Sequence, residues 1–196
     1  MGKEIKERYF TYHQLYQDLK QNNEIQAIKK LYRLADFYIS QDFNVFNTKV
    51  ACHKGCSFCC RIPVNVSEDE VNYILDYVKK NDISINFKNR DKKNPANNKF
   101  ETCVFLDTQK NTCKIYKARP IACRKHFVTT TAEHCKDLSE KIGRYYPFEP
   151  DLISLVLYNS SKIGNLNKLV EEKFHSINTL SYKIKCFIRK YLLSFI

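Results

Sequence analysis

Four cysteines lie within nine residues in the stretch CHKGCSFCC, which spans residues 52–60. They are Cys52, Cys56, Cys59 and Cys60. Thiolates this close together are compatible with a disulfide framework, a structural zinc site, an iron–sulfur cluster or the cluster-binding loop of a radical enzyme. A short turn between two cysteines lets both sulfurs approach one metal ion, so we favour metal binding.

A second group of cysteines follows in CVFLDTQKNTCKIYKARPIACRKHF and AEHCKDL. Its members are Cys103, Cys113, Cys123 and Cys135, whereas the ninth cysteine, Cys186, stands apart. The eight clustered thiolates would complete two four-cysteine sites, or one site with thiols to spare. We expect the adjacent side chains of Cys59 and Cys60 to diverge, which would favour two metals or a polynuclear cluster.

The order of these motifs resembles a known family. A cysteine doublet, then C-x-F-L, then C-x-I-Y-x-x-R-P-x-x-C-R is similar to the zinc- or iron-chelating cysteine-cluster domain named CxxCxxCC, a family that includes the flagellin lysine N-methylases. The matching residues are Cys56, Cys59, Cys60, Arg61, Cys103, Phe105, Leu106, Cys113, Ile115, Tyr116, Arg119, Pro120, Cys123 and Arg124. The resemblance covers about residues 52–127. Three residues separate Cys52 from Cys56, where the family name implies two.

The resemblance implies that the cysteines chelate zinc or iron, with a 4Fe–4S cluster as one form of the iron. The predicted metal ligands are Cys52, Cys56, Cys59, Cys60, Cys103, Cys113, Cys123 and Cys135. Three neighbouring histidines could each replace a cysteine, although we favour surface or hydrogen-bonded roles for them: His53, His126 and His134. No catalytic residue is identified.

Basic residues near the cysteines would offset thiolate charge and lower thiol pKa values. They are Lys54, Arg61, Arg119, Arg124 and Lys125. For Arg119 we favour a structural role, in which it donates hydrogen bonds to carbonyls or pairs with a carboxylate near the cluster, over substrate binding. Tyr116 is expected to be a core residue rather than a proton donor.

Cys52, Cys56 and Cys59 also match C-x3-C-x2-C, with Phe58 before the last cysteine. This spacing resembles the 4Fe–4S loop of radical S-adenosylmethionine enzymes. We favour coincidence, because the chain shows little strand periodicity and no glycine-rich segment. The alternative function is a metal- or iron–sulfur-dependent enzyme, such as a protein-lysine N-methyltransferase or a radical enzyme of this kind. S-adenosylmethionine is predicted as a cofactor only under that alternative. The alternative also predicts an open coordination position beside a pocket, whereas metal chelation alone predicts closed sites and no pocket.

Helical periodicity predicts the elements that must position these residues. We predict helices over residues 4–40 with a break at 21–23, over 68–80, from about Asp151, and over 166–194. In the second, Ser67 and Glu70 have the spacing of a capping box. The polar stretch 86–99 predicts an exposed loop.

The predicted fold class is mainly α, with helical arms around a cysteine-rich metal-binding core and little regular β. We expect a single domain over 1–196: an N-terminal helical arm (1–50), the cysteine-cluster core (51–136) and C-terminal helices (137–196).

Composition limits the partners and the compartment. The net charge is +12, so nucleic acid or an acidic membrane surface could be a partner. The basic residues are spread along the chain, which favours a solvated surface and makes nucleic acid unlikely. We find no secretory signal or membrane span and expect a cytoplasmic protein, where disulfides are uncommon. The predicted partner is a metal ion, with a protein partner or substrate also allowed.

Overall fold

The computed structural model describes residues 2–46, 49–53, 55–91, 101–135, 144–145 and 147–192. Within these residues the chain is mainly helical with little regular β structure, as predicted. The α-helices are α1 (Lys3–Asn22), α2 (Glu24–Phe46), α3 (Glu68–Lys80), α4 (Ile121–Arg124), α5 (Phe148–Ser160) and α6 (Leu166–Leu192). The strands are β1 (Asn65–Ser67), β2 (Leu106–Asp107), β3 (Thr112–Cys113), β4 (Phe127–Val128), β5 (Arg144–Tyr145) and β6 (Ile163–Asn165).

The predicted break in the first helical region lies at Asn23, between α1 and α2. Asn23 has an extended backbone, and its side-chain Oδ1 accepts a hydrogen bond from the Gln26 amide at 3.0 Å. This bond pairs one of the free amides at the start of α2. Helix α2 continues to Phe46 rather than ending near residue 40, and Phe43 packs edge-to-face against Phe127 at 4.8 Å.

The capping box predicted at the start of α3 is confirmed. The Ser67 side chain accepts from the Glu70 amide, and the Glu70 carboxylate accepts from the Ser67 amide at 3.0 Å. The same carboxylate accepts from the Tyr32 hydroxyl of α2 at 2.7 Å and from the Ile121 amide of α4 at 2.8 Å. Glu70 therefore joins α2, α3 and the segment that carries Cys123.

One hydrophobic core contains residues from both predicted arms and from the cysteine-rich segment. Its largest fully buried side chains include Tyr16, Ile28, Leu31, Ile74, Phe105, Ile115 and Ile153. Helix α5 begins at Phe148, three residues before the predicted start. Pro150 is compatible with this earlier start, because the amide that proline lacks would have no helical partner in the first turn. The division of the chain at residues 50 and 136 stays a prediction.

The strands form three two-stranded antiparallel sheets. The pairing of β1 with β6 brings the start of α6 beside the chain that leaves the cysteine doublet, and the Leu166 amide donates to the Val64 carbonyl at 2.8 Å. The hairpin of β2 and β3 pairs Leu106 with Cys113. These short sheets position the cysteine-bearing segments against a helical scaffold.

Part of the sequence predictions falls outside the described residues. The predicted loop over 86–99 begins with a 3₁₀ turn at Phe87–Asp91, and its remainder is not described. The Cys186 side chain and residues 193–194 of the last predicted helix are also outside. Among the described helices, none is both long enough and apolar enough to cross a membrane.

Candidate metal centre

A cavity of about 780 Å³ opens between the cysteine-rich segments and the start of α6. Seven of the eight predicted ligands line it: Cys52, Cys56, Cys59, Cys60, Cys103, Cys113 and Cys123. These cysteines come from three stretches of the chain, and the first and the last of them, Cys52 and Cys123, are 71 positions apart in the sequence. The fold therefore gathers thiols that the sequence leaves far apart.

The first stretch is a turn followed by a short helical segment. Gly55 has φ +90°, a backbone conformation that side chains with a Cβ rarely adopt. The Cys56 amide donates to the His53 carbonyl at 3.1 Å, which closes the turn. A 3₁₀ turn over Phe58–Arg61 then presents the cysteine doublet to the cavity.

The doublet differs from the sequence expectation. The side chains of Cys59 and Cys60 both line the cavity, and their thiols are close enough to change each other's pKa through a hydrogen bond. Successive residues of a 3₁₀ turn are rotated by about 120°, less than the half-turn of extended backbone. The hydrogen bond from Cys60 lowers the pKa of the Cys59 thiol to about 7 and raises the pKa of Cys60.

The second stretch holds Cys103 and Cys113 on the two sides of the β2–β3 hairpin. The Cys103 amide donates to the Cys60 carbonyl at 2.8 Å, which fixes this stretch to the doublet. Inside the hairpin, the Lys114 amide donates to the Phe105 carbonyl at 2.9 Å. Buried Asn89 donates to the carbonyls of Cys103 and Leu106 at 3.0 and 2.9 Å.

Backbone amides also point at the sulfurs of this hairpin. Through backbone hydrogen bonds, Phe105 and Leu106 lower the pKa of Cys103, and Ile115 lowers that of Cys113. The Leu106 amide also donates to the Cys103 carbonyl at 3.1 Å. The bonds to the sulfurs favour the thiolate, yet burial outweighs them and raises the pKa of Cys103 to about 12 and that of Cys113 above its usual value. Amides directed at cysteine sulfurs are a common outer shell of metal–thiolate sites.

The third stretch presents Cys123 from the short helix α4. Pro120 precedes this helix, and Glu70 holds the amide of Ile121. Burial raises the pKa of Cys123 well above that of an ordinary thiol, and the nearby sulfurs of Cys59 and Cys103 raise it further. A neutral thiol in this position would lose its proton on binding a metal cation.

Arg119 is a cation that acts on three of the cavity thiols. Its charge lowers the pKa values of Cys59, Cys113 and Cys123, although it is not the largest influence on any of them. Its guanidinium carbon lies 4.2 Å from the centroid of the Tyr116 ring, and its buried Nε has no hydrogen-bond partner. The structural role predicted for Arg119, a hydrogen bond to a carbonyl or carboxylate, is therefore not seen at Nε.

The prediction that Tyr116 is a core residue is wrong. Its side chain is 61% exposed, because the ring covers the guanidinium of Arg119 from the solvent side instead of entering the apolar interior. The neighbouring residue Ile115 takes the core position and is 1% exposed.

Replacing Arg119 by glutamine in the metal-free chain is expected to raise the pKa of Cys59, because a cation that favours its thiolate is lost. Alkylation of Cys59 by iodoacetamide at pH 7 should slow several-fold, since the thiolate is the reactive form. Peptide mass spectrometry would measure this rate. Arg61→Gln removes the same charge near the doublet and should leave the rate close to wild type, and equal slowing in both variants would contradict the role of Arg119.

The other predicted basic residues divide between structural and peripheral positions. Arg124 is 5% exposed, pairs with Asp36 at 2.6 Å and lies 4.3 Å above the Tyr32 ring, so it belongs to the scaffold. Lys125 pairs with Asp151 at 2.6 Å. Arg61 lines a smaller adjoining pocket, and Lys54 is outside the described residues.

The histidines and Cys135 occupy different positions. His53 and His126 line the main cavity, and His134 lies in the 3₁₀ turn Ala132–Cys135. Nδ1 of His134 is buried without a hydrogen-bond partner. Cys135 is 5% exposed and is not among the residues that line the cavity. Its role as a ligand stays a prediction.

One wall of the cavity was not anticipated from the sequence. It consists of Glu101, of Asn165 at the end of β6, and of the first residues of α6: Leu166, Asn167 and Lys168. Asn167 is 6% exposed; its Oδ1 accepts from the Val104 amide and its Nδ2 donates to the Thr102 carbonyl, both at 3.1 Å. An asparagine in the first turn of a helix has no distinguishing local pattern, so only the tertiary structure reveals this anchor for Cys103.

Replacing Asn167 by alanine is expected to lower the free energy of unfolding by about 2 to 3 kcal/mol, because two buried backbone groups lose their partners. Chemical denaturation would measure the change. The control is Asn159→Ala, which removes an exposed hydrogen bond to the Tyr9 hydroxyl at 3.0 Å and should cost less than about 1 kcal/mol. Equal losses would show that Asn167 does not anchor the Cys103 stretch.

The sulfurs surround the cavity without converging on one point. Within the described ranges, no three cysteine, histidine or carboxylate side chains are grouped closely enough to hold a metal ion. The donor set still fits zinc or iron, because soft thiolates are the ligands that these metals prefer. Metal binding would need to draw the opposing sulfurs inward across the cavity.

Comparison with known proteins gives one match. The CxxCxxCC family model, whose description is "Putative zinc- or iron-chelating domain", matches residues 51–155, more than half of the chain. The match contains all eight predicted ligands and the cavity-lining residues of the cysteine-rich segments. It continues through β5 and includes most of α5. No curated protein matches the chain, and no solved structure matches it.

Proposed function

Because the chain belongs to the CxxCxxCC family of zinc- or iron-chelating domains, we propose that its function is to bind zinc or iron through the seven cysteines of the cavity. One observation carries this proposal: cysteines from three distant stretches line the same cavity. Burial opposes the ionisation of these thiols, and thiolates this close together would repel one another. A bound cation would reverse both effects.

Within this set, five cysteines form the inner part of the proposed site. Cys59, Cys103 and Cys113 are close enough to raise the pKa of both Cys60 and Cys123. Four thiolates complete a zinc site or a 4Fe–4S cluster. We assign the inner site to these five cysteines, and Cys52 and Cys56 to its more open end, where Cys52 is exposed.

Serine variants test the assignment. Cys103→Ser and Cys123→Ser should each lower the affinity for zinc or iron by at least about tenfold, because serine keeps the size but is a far poorer ligand for soft metals. Cys135→Ser is the matched comparison. It should keep the metal if the ligands are the cysteines that line the cavity, whereas loss of the metal would support the ligand role predicted for Cys135 from the sequence. Metal analysis after dialysis against a weak chelator would compare them. Retention in the first two variants would refute the assignment.

The size of the cavity favours a second candidate function. A volume of about 780 Å³ is in the range of small-molecule sites and exceeds the need of a metal ion. We therefore keep a metal- or iron–sulfur-dependent enzyme as the alternative, with protein-lysine methylation as the example and S-adenosylmethionine as its cofactor. Calorimetric titration of the metal-loaded protein with S-adenosylmethionine tests it. Binding that disappears in Cys103→Ser would support the enzyme, and absence of binding would leave metal chelation alone.

A further inference from the structure

The apolar face of α6 extends beyond the core that it packs against. In its first turns, Leu166, Leu169 and Val170 are at most 5% exposed. Phe174 packs on Phe87 at 5.4 Å between ring centroids. After His175, the described side chains up to residue 180 are all exposed. Ile177 and Leu180 are 56% and 60% exposed although they continue the spacing of the buried positions.

The same helical spacing continues to the end of α6. The helix reaches Leu192, so the part beyond His175 is 17 residues long, or about 25 Å at 1.5 Å per residue. In the sequence of this part, apolar residues recur at Ile184, Phe187, Ile188, Tyr191 and Leu192. At about 100° per residue, these positions fall on one side of the helix with Ile177 and Leu180.

The charges in this part of the helix have one sign. Residues 176–192 contain Lys183, Lys185, Arg189 and Lys190 and no aspartate or glutamate. The helical spacing places these four away from the centre of the apolar face. A second copy of this helix would bring four more positive charges against them, so the charge opposes self-association. A surface that is anionic on the outside and apolar in its interior matches both the positively charged side and the apolar side of this helix.

We propose that α6 from Ser176 to Leu192 is an interfacial helix that binds the surface of an anionic phospholipid bilayer. The apolar side would lie at the level of the acyl chains, and the lysines and arginine would contact the lipid phosphates. The helix lies along the surface and does not span it. The site is distinct from the cysteine cavity, and the proposal does not depend on metal binding.

Cosedimentation of the full chain with sucrose-loaded vesicles tests the proposal. The protein should bind vesicles that contain phosphatidylserine in phosphatidylcholine, and it should not bind phosphatidylcholine alone. The double variant Lys183→Gln with Lys185→Gln should weaken vesicle binding about 25-fold, because each positive charge near the surface raises the affinity about fivefold. The matched control is Lys29→Gln with Lys30→Gln, which removes two charges from exposed positions of α2 and should change binding little.

The apolar face has its own test. Ile177→Ser with Leu180→Ser should weaken vesicle binding about tenfold or more while leaving the metal content and the circular dichroism of the protein unchanged. The proposal fails if the wild-type chain does not bind anionic vesicles, or if both lysine pairs weaken binding equally. It also fails if the serine pair has no effect, or if sedimentation shows a dimer that this serine pair dissociates.

Discussion

Replacing Glu70 by alanine is expected to lower the free energy of unfolding by at least about 3 kcal/mol. Glu70 is fully buried, and its two oxygens accept from the Tyr32 hydroxyl and from the amides of Ser67 and Ile121. Alanine would leave those donors buried without partners and would remove half of the capping box. The loss should extend to the metal site, because the Ile121 amide fixes the start of the helix that carries Cys123.

Glu68→Ala provides the matched control for this experiment. Glu68 is in the same first turn of α3, but its contact is a partly exposed ion pair with Lys173 at 2.8 Å. Its removal should cost about 1 kcal/mol or less. Urea denaturation followed by circular dichroism would measure both variants. If both lose the same stability, Glu70 is not the junction between α2, α3 and the cysteine segment.

Glu70 should also give the protein a pH dependence of stability. Burial raises the pKa of Glu70 above its ordinary value, so the folded chain holds this proton more tightly than the unfolded chain does. The stabilisation from this proton is complete below the unfolded pKa and is lost as the pH rises through the folded pKa. The glutamine of Glu70→Gln cannot titrate, so the free energy of unfolding of this variant should depend less on pH over this range. An unchanged pH dependence would show that other groups cause it.

Removal of the metal is the second change with a large expected effect. It should lower the free energy of unfolding by at least about 5 kcal/mol, because ligands from three stretches would lose their common link. The loss should be local. The segment 101–128 contributes Phe105, Ile115 and Ile121 to the apolar core, but its regular structure consists of two-residue strands and the four-residue helix α4. The longer helices α1, α2, α3 and α5 pack directly against one another.

Hydrogen exchange with and without a chelator would locate this effect. Amides of the β2–β3 hairpin and of α4 should lose protection when the metal is removed, and those of α2 and α3 should keep most of theirs. We infer that the metal joins the cysteine segments to a helical scaffold that folds without it. Equal exchange rates in both preparations, or an equal loss of protection throughout the chain, would contradict this inference.

The local elements were predictable because their determinants are close together in the sequence. The Ser67–Glu70 capping box specifies the start of α3 through contacts three residues apart, and Asn23 separates α1 from α2 by a side-chain cap. The resemblance identified the cysteines from short motifs, each of which lies in one continuous stretch of sequence. The apolar repeat predicted that α6 begins at Leu166, and the predicted helix covers the whole described part of α6.

The walls of the cavity could not be predicted in the same way. Asn167 reaches Val104 across 63 residues, and no local pattern records such a contact. The contact between Cys59 and Cys60 depends on a 3₁₀ turn that their sequence does not distinguish from extended backbone. Tyr116 is a large aromatic residue of a type that often lies in a core. Its exposure is explained only by the position of Arg119 beneath its ring.

The most direct test of the central claim is the metal content of the protein after anaerobic purification, measured by mass spectrometry together with the visible spectrum. The proposal predicts at least about one zinc or iron per chain. A colourless zinc protein and an iron protein with a broad band near about 400 nm would both agree with it, and the second would indicate an iron–sulfur cluster. A content no higher than that of a chain with serine at all seven cavity cysteines would contradict it.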